Sequence, residues 1–323
     1  MPRLALIATG GTIAGTGPQQ RYTAATLDAE SLLDAVPALR HLAEWHVEQA
    51  FSLDSRDLTP AHWLQLAIRV QAQLDDPTID GVVITHGTDT LEETAFALYL
   101  LLPTGKPVVL TAAMRPTTSL SADGPLNLWQ AACVALYPAA RHHGPLVVAN
   151  DAVIEADKLV KQHTHSPAAL QSRPGSSAAG AIFGTSIKLS PGASSSRPAL
   201  LRMPEMDVLP RVDILYAYAG ATPDLLEASL AGGAHGIVLA LTGHGSIPAN
   251  WRDAIAHAIQ QNIPVVRATR VAAGGVWADC NEDDTRTGSI AAGLLSPQQA
   301  RVLLLLALAC HRTGDLRELF ATT

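Results

Sequence analysis

Short apolar runs alternate with longer amphipathic segments along most of this chain. Residues 3–8 form an apolar run that ends at Thr9-Gly10-Gly11-Thr12, residues 27–42 carry apolar side chains at helical spacing, and 81–85 is a second run of strand length. Asp89-Thr90-Leu91-Glu92-Glu93 follows, a capping carboxylate with acidic residues in the first turn, which marks a helix start. The alternation continues through a strand at 107–114, a helix at 122–137 and a strand at 145–149. Strands that are each followed by a helix predict a parallel sheet covered by helices. Near residue 190 the pattern stops at Ser190-Pro191-Gly192-Ala193-Ser194-Ser195-Ser196-Arg197-Pro198, which has no apolar period. It resumes with strands at 212–218, 236–241 and 265–268 and helices at 223–230, 249–261 and 297–310. The expected fold is α/β with two domains. Residues 1–190 form a larger N-terminal domain with a Rossmann-like, mostly parallel sheet flanked by helices, 191–209 a linker, and 210–323 a smaller C-terminal α/β domain.

Composition narrows the classes of function. The chain has 323 residues, 48% hydrophobic and only 16% charged, too apolar for a disordered protein. Lys and Arg number 22 against 29 Asp and Glu, a net charge of −7, so no basic footprint for nucleic acid is expected. The longest late apolar run, 302–310, is nine residues, against about 20 needed to cross a bilayer. The start has one basic residue and five apolar ones before Thr9, too short for a signal-peptide core. Cys133, Cys280 and Cys310 are an odd set at spacings that fit neither a zinc site nor a disulfide framework. Reduced thiols and a cytoplasmic location are expected, with no membrane partner.

Ligands of open α/β sheets gather at the carboxyl ends of strands, which directs attention to two segments. Thr9-Gly10-Gly11-Thr12-Ile13-Ala14-Gly15-Thr16-Gly17 fails as a dinucleotide fingerprint, because Thr12 replaces the middle glycine, and as a P-loop, because no lysine follows Gly15. It offers either a structural turn or a hydroxyl presented among exposed backbone N–H groups. Thr85-His86-Gly87-Thr88-Asp89-Thr90 offers either a plain N-cap at Asp89 or a hydroxyl and carboxylate at a helix start, able to hold a polar ligand. His86 is expected to pack beneath this motif in a hydrogen-bonding role. Among twelve histidines, His142-His143 and His163-Thr164-His165 invite a metal reading, but no Cys or acidic triad lies nearby in sequence. Neither a metal nor any other cofactor is expected.

The stretches 7–15 and 83–95, together with Ala113-Met114-Arg115-Pro116-Thr117-Thr118-Ser119-Leu120-Ser121-Ala122-Asp123-Gly124-Pro125-Leu126-Asn127-Leu128 and 296–304, resemble the bacterial L-asparaginase family across essentially the whole chain. The resemblance implies a cofactor-free amidohydrolase that converts L-asparagine to L-aspartate and ammonia through an acyl-threonine ester. A threonine hydroxyl needs a partner that takes its proton. In this likeness Thr12, beside Gly11, matches the nucleophile and Tyr22, on the 19–23 loop, its activating tyrosine. Thr88, Asp89 and Lys161 match a second proton-relay group; a lysine between a carboxylate and a hydroxyl can lose its proton more readily than a free one.

Ser55 and Arg56 fall on substrate-contacting positions, Ser55 at the α-carboxylate, with Gly87 and Thr88 in the same cradle. Asp89 matches the anchor of the α-ammonium, and Ala113 a carbonyl facing the leaving amide. Ser55 and Asp57 also suit a simple capping role for a helix near Pro60. Three positions depart from the family pattern: Arg56 stands where many relatives carry Gln or Glu, Asn281 near where several place a neighbour's glutamate, and Ser246 where others have Asn or Ser. These changes imply a weaker hold on asparagine than in the tight-binding relatives, and poor handling of glutamine. The family likeness also implies a homotetramer, a dimer of dimers. A glutaminase-asparaginase, an amidase for a related carboxamide, and a non-catalytic amino-acid-binding regulatory protein are the rival readings. The complete set Thr12, Tyr22, Thr88, Asp89 and Lys161 argues against the last. Tyr22 with its loop and the 114–128 block resemble exported members, whereas the lack of a leader resembles cytoplasmic ones.

Overall fold

From Leu4 to Gly10 every residue is buried, the signature of a strand covered on both faces. In the computed structural model, which describes residues 1–18, 21–191, 199–204 and 209–323, this strand is β1 (Arg3–Gly10). Two compact units are present, Met1–Leu200 and Leu201–Thr323. Much of the expected linker, 192–198 and 205–208, lies outside the described residues.

The first unit continues with α1 (Ala29–Asp34), α2 (Ala38–Leu42), β2 (Glu44–Leu53), α3 (Pro60–Asp75), β3 (Gly81–Thr85), α4 (Leu91–Leu101), β4 (Val108–Thr111), α5 (Gly124–Ala135) and β5 (Leu146–Ala149). Then come β6 (Ala152–Glu155), β7 (Leu159–Lys161), β8 (Leu170–Ser172), β9 (Gly180–Phe183) and β10 (Ser186–Leu189). The main sheet runs β10-β9-β6-β5-β4-β3-β1-β2; the pairings from β2 to β5 are parallel, and those among β5, β6, β9 and β10 antiparallel. The reversal from parallel to antiparallel occurs at Asn150-Asp151, whose φ values of 49° and 63° are those of a tight hairpin turn. Order 2-1-3-4-5 makes the chain leave β1 toward opposite sides for β2 and β3, so a crevice opens between the carboxyl ends of β1 and β3.

Several sequence expectations need correction. The single helix over 27–42 is two, α1 and α2, because Pro37 cannot continue the first helix and instead begins the second. Strand β2 was hidden by its edge position: its burial pattern never reaches full burial, so it carries no apolar run. The N-cap of α4 is Thr90 and not Asp89, whose carboxylate turns elsewhere. Thr59, not Ser55 or Asp57, caps α3, its backbone N–H donating to Nδ1 of His62 at 2.9 Å.

The second unit has β11 (Val212–Tyr216), α6 (Asp224–Ala231), β12 (Gly236–Leu241), α7 (Arg252–Gln260), β13 (Val265–Thr269), α8 (Asp284–Thr287), β14 (Ile290–Ala291), α9 (Pro297–Ala309) and α10 (Leu316–Thr322). Its four strands pair in parallel in chain order. Both units are therefore α/β, as the alternation predicts. No helix among the described residues is long and apolar enough to cross a membrane. All three cysteines are free, Cys280 exposed and the others half-buried.

Candidate active site

The crevice beside β1 and β3 holds the two threonine segments. After β1 the chain turns through Gly11, at φ 79°, into a short 3-10 turn over Thr12–Ala14. After β3, Thr85-His86-Gly87-Thr88 leads into α4. The segments touch at their glycines: a Cβ on Gly11 would stand 2.4 Å from both Cα and N of Gly87. On its other side, a Cβ on Gly87 would meet the Ser55 hydroxyl at 2.6 Å. Only bare backbone lets Gly11, Gly87 and Ser55 stack this closely.

A hydroxyl pair and a hydroxyl–ammonium pair stand on this cradle. Thr12 Oγ1 shares a hydrogen bond of 2.8 Å with the Tyr22 hydroxyl. Tyr22 is brought over Thr12 by a small antiparallel bridge in which Thr16 and Thr23 exchange backbone hydrogen bonds of 3.0 and 2.9 Å. Gln19 and Gln20 of this loop lie outside the described residues. In the second pair, the Lys161 ammonium donates to Thr88 Oγ1 at 3.0 Å and to Asp89 Oδ1 at 2.5 Å. Thr12 and Thr88 are almost fully buried; the Asp89 side chain remains 55% exposed, open to a ligand. The backbone N–H groups of Thr12 and Thr88 have no acceptor among the described residues. Ser55, buried on its short 3-10 turn, accepts from the Asp89 N–H at 3.2 Å and, through its carbonyl, from the Thr90 hydroxyl at 2.7 Å, leaving its own hydroxyl proton to donate.

The remaining sequence candidates divide. Ala113 is buried beyond β4, in a turn clamped by Asp123, whose carboxylate accepts the N–H groups of Met114 and Arg115 at 2.9 Å each. Arg56 points away: its side chain is 72% exposed and paired with Asp54 at 3.2 Å. Ser246 and Asn281 meet in the second unit, Asn281 Nδ2 donating to Ser246 Oγ at 2.8 Å. Below them, a fully buried Arg267 joins Asp284 to the Gly245 carbonyl at 2.8 Å, and Glu282 accepts the Ile247 N–H at 3.0 Å. His163 and His165 pack edge to face, and no group of three metal-ligating side chains occurs among the described residues.

Glu92 is the site residue that the sequence did not single out. It reads as a routine acidic residue in a first helical turn, yet its carboxylate accepts the backbone N–H of Lys161 at 3.2 Å. Burial lifts its pKa to about 7, against the pull of that hydrogen bond. His86 is fully buried; desolvation pushes its pKa down to about 4, so the ring is neutral at physiological pH.

A glycine-built crevice at the switch point of a parallel sheet, holding a threonine-tyrosine pair and a threonine-carboxylate-lysine group, has the make-up of a hydrolase site rather than of a nucleotide cradle. Comparison with known proteins carries this to a family. Residues 3–193 match the family model for the asparaginase N-terminal domain, and 211–320 that for the glutaminase/asparaginase C-terminal domain. The chain is 40% identical to a probable periplasmic L-asparaginase of Haemophilus influenzae and 39% identical to L-asparaginase 2 of Escherichia coli. Each alignment covers 95% of this chain and 89% of the relative. A glutaminase-asparaginase of Acinetobacter glutaminasificans is 38% identical, over 97% of this chain and 96% of that protein. The crystal structure of a probable cytoplasmic L-asparaginase from Campylobacter jejuni superposes with a TM-score of 0.93 at 37% identity, over the full length of both chains. The chain belongs to the asparaginase/glutaminase family of amidohydrolases.

Proposed function

We propose that this protein hydrolyses L-asparagine to L-aspartate and ammonia, with Thr12 as nucleophile. The observation that carries this reading is the placement of two hydrogen-bonded pairs, the Thr12 and Tyr22 hydroxyls and the Thr88 hydroxyl with the Lys161 ammonium, on segments joined at the Gly11–Gly87 contact. The Thr12 hydroxyl attacks the carboxamide carbon while the Tyr22 hydroxyl, 2.8 Å away, takes its proton and passes its own on toward the leaving nitrogen. The N–H groups of Thr12 and Thr88, without an acceptor among the described residues, are available to the oxygen on which negative charge develops. Ammonia leaves with a proton returned through the site. Water, activated at Thr88 within the Lys161 group, then cleaves the Thr12 ester and frees the enzyme. At the far end of the substrate, the Asp89 carboxylate holds the α-ammonium and the free Ser55 hydroxyl proton reaches the α-carboxylate. Ala113 offers its carbonyl to the leaving amide.

Ammonia release from L-asparagine, L-glutamine, D-asparagine and succinamate tests the substrate. Preference for L-asparagine is expected; preference for L-glutamine supports the dual activity named for the Acinetobacter relative, and preference for succinamate overturns the ammonium anchor. Thr12→Ala and Thr88→Val are each expected to lower kcat by about three orders of magnitude, as loss of a nucleophile or relay member does. Near wild-type turnover in Thr12→Ala refutes the nucleophile. We also infer that 191–209 links two domains and that the chain forms a homotetramer in which Ser246 and Asn281 of one copy approach a neighbour's crevice. The cytoplasm is the compartment proposed, on the strength of three free thiols, one of them exposed.

A further inference from the structure

His86 lies one residue from Gly87 in the cradle and has no part in the chemistry above. Its ring is wholly shielded from water, with Nδ1 at 2.7 Å from the Gly87 carbonyl oxygen and Nε2 without a partner. A carbonyl only accepts, so Nδ1 carries the proton and Nε2 is a bare acceptor. Burying an unsatisfied acceptor is unfavourable, and an apolar side chain of similar shape avoids that loss. What the imidazole supplies in return is the single bond to Gly87. That bond turns the Gly87 carbonyl toward the buried ring. Across a planar trans peptide the Thr88 N–H points the opposite way, and this is the N–H left without an acceptor among the described residues. The Gly87 Cα at the head of this peptide is also one of the atoms pressed against Gly11, the others being N of Gly87 and the carbonyl carbon of His86 in the preceding peptide.

We propose that His86 is a positioning residue: by donating from Nδ1 to the Gly87 carbonyl it fixes the peptide that aims the Thr88 N–H and sets the spacing between the Thr12 and Thr88 segments. The inference rests on the hydrolase reading above and adds a role for a side chain that never meets substrate. It differs from a packing role in a way that side-chain geometry can separate. An asparagine amide reaches the place of imidazole Nδ1, whereas a glutamine amide reaches that of Nε2.

The experiment compares His86→Asn, His86→Gln and His86→Leu on L-asparagine, with rates normalised to the folded fraction from circular dichroism. His86→Asn is expected to keep kcat within about fivefold of wild type, while His86→Gln and His86→Leu lose about 100-fold in kcat with KM changed less than about threefold, as a small misalignment of reacting groups does. In the wild-type protein, nitrogen-15 spectra of the His86 ring, assigned by its absence in His86→Asn, are expected to show the neutral Nδ1–H tautomer. Equal kcat for the Asn and Gln variants, or an Nε2–H tautomer, overturns the proposal; where one variant does not fold, the spectrum is assigned from another His86 variant and an Nε2–H tautomer still overturns it. Thr12→Ala assayed alongside separates the two readings: its full activity removes the nucleophile assignment, whereas the Asn–Gln contrast speaks to His86 alone.

Discussion

Backbone proximity governs this site at the scale of single residues. Gly11 combines a positive φ with a neighbour that leaves no room for a methyl group. Gly11→Ala is therefore expected to push the two threonine segments apart and lower kcat at least about 100-fold, with a fall in Tm, because strain and displacement act together. Retention of wild-type kcat would show that the segments can slide without loss. Arg56 makes the opposite case. The sequence sets a cation at a position expected to contact substrate, but the guanidinium lies in solvent against Asp54. Exposed pairs of this kind contribute at most about 1 kcal/mol, so Arg56→Gln is expected to change KM for L-asparagine by less than about fivefold. A larger improvement would mean that Arg56 swings toward the ammonium. Thr12, Thr88 and Asp89 stood out as candidates because each follows a readable strand, and only the family resemblance gave them roles. The direction of Arg56 and the burial of Glu92 were not, since both depend on partners that local pattern does not reveal, in Glu92's case a strand 69 positions away.

At the scale of elements, β1, β3, β4 and β5 could be read directly, because central parallel strands are continuous apolar runs. The antiparallel strands β6, β9 and β10 could not, being short and partly exposed. Beside the β5–β6 ladder that joins the two halves of the sheet, an amide on α5 braces the same junction. Asn127, nearly fully buried, donates through Nδ2 to the Ala112 carbonyl at 2.9 Å and accepts the Asn150 N–H at 3.0 Å. It thereby ties the turn after β4 to the hairpin where strand direction reverses. Asn127→Ala leaves a buried carbonyl and a backbone N–H unpaired, and a loss of about 2–4 kcal/mol in unfolding free energy is expected from denaturant titration. A loss under 0.5 kcal/mol, taken as the level of a neutral surface change, would show that water replaces the amide.

For the whole molecule, two buried titratable groups near the crevice oppose each other in pH dependence. Glu92 keeps its proton up to about pH 7 when folded but loses it near 4.5 when unfolded, so its contribution declines as pH rises through that window. His86 stays neutral down to about pH 4 when folded, whereas the unfolded chain takes up a proton below 6.5, so its contribution declines as pH falls. Between about pH 5 and 6.5 each slope approaches 1.4 kcal/mol per pH unit and the signs cancel. Glu92→Gln removes one side of the balance. Its Tm is expected to fall more steeply than that of the wild type on going from pH 6.5 to 5; parallel curves would show that Glu92 is ionised in the folded state. The α/β class followed from alternation along the chain and the two units from its interruption, but the burial that shifts Glu92 and His86 did not, since the segment from β3 into α4 reads as an ordinary strand end and helix start.

The three thiols described above also make the molecule easy to tag. Burial lifts Cys133 to a pKa of about 11 and raises that of Cys310 as well, which keeps both as poorly reactive thiols near neutrality. Cys280 stands exposed, adjacent in sequence to Asn281. The unaltered chain thus carries a natural attachment point for a maleimide dye beside the Ser246–Asn281 pair. Labelling kinetics followed across protein concentrations convert that accident of composition into a reporter of whether another copy of the chain covers this loop.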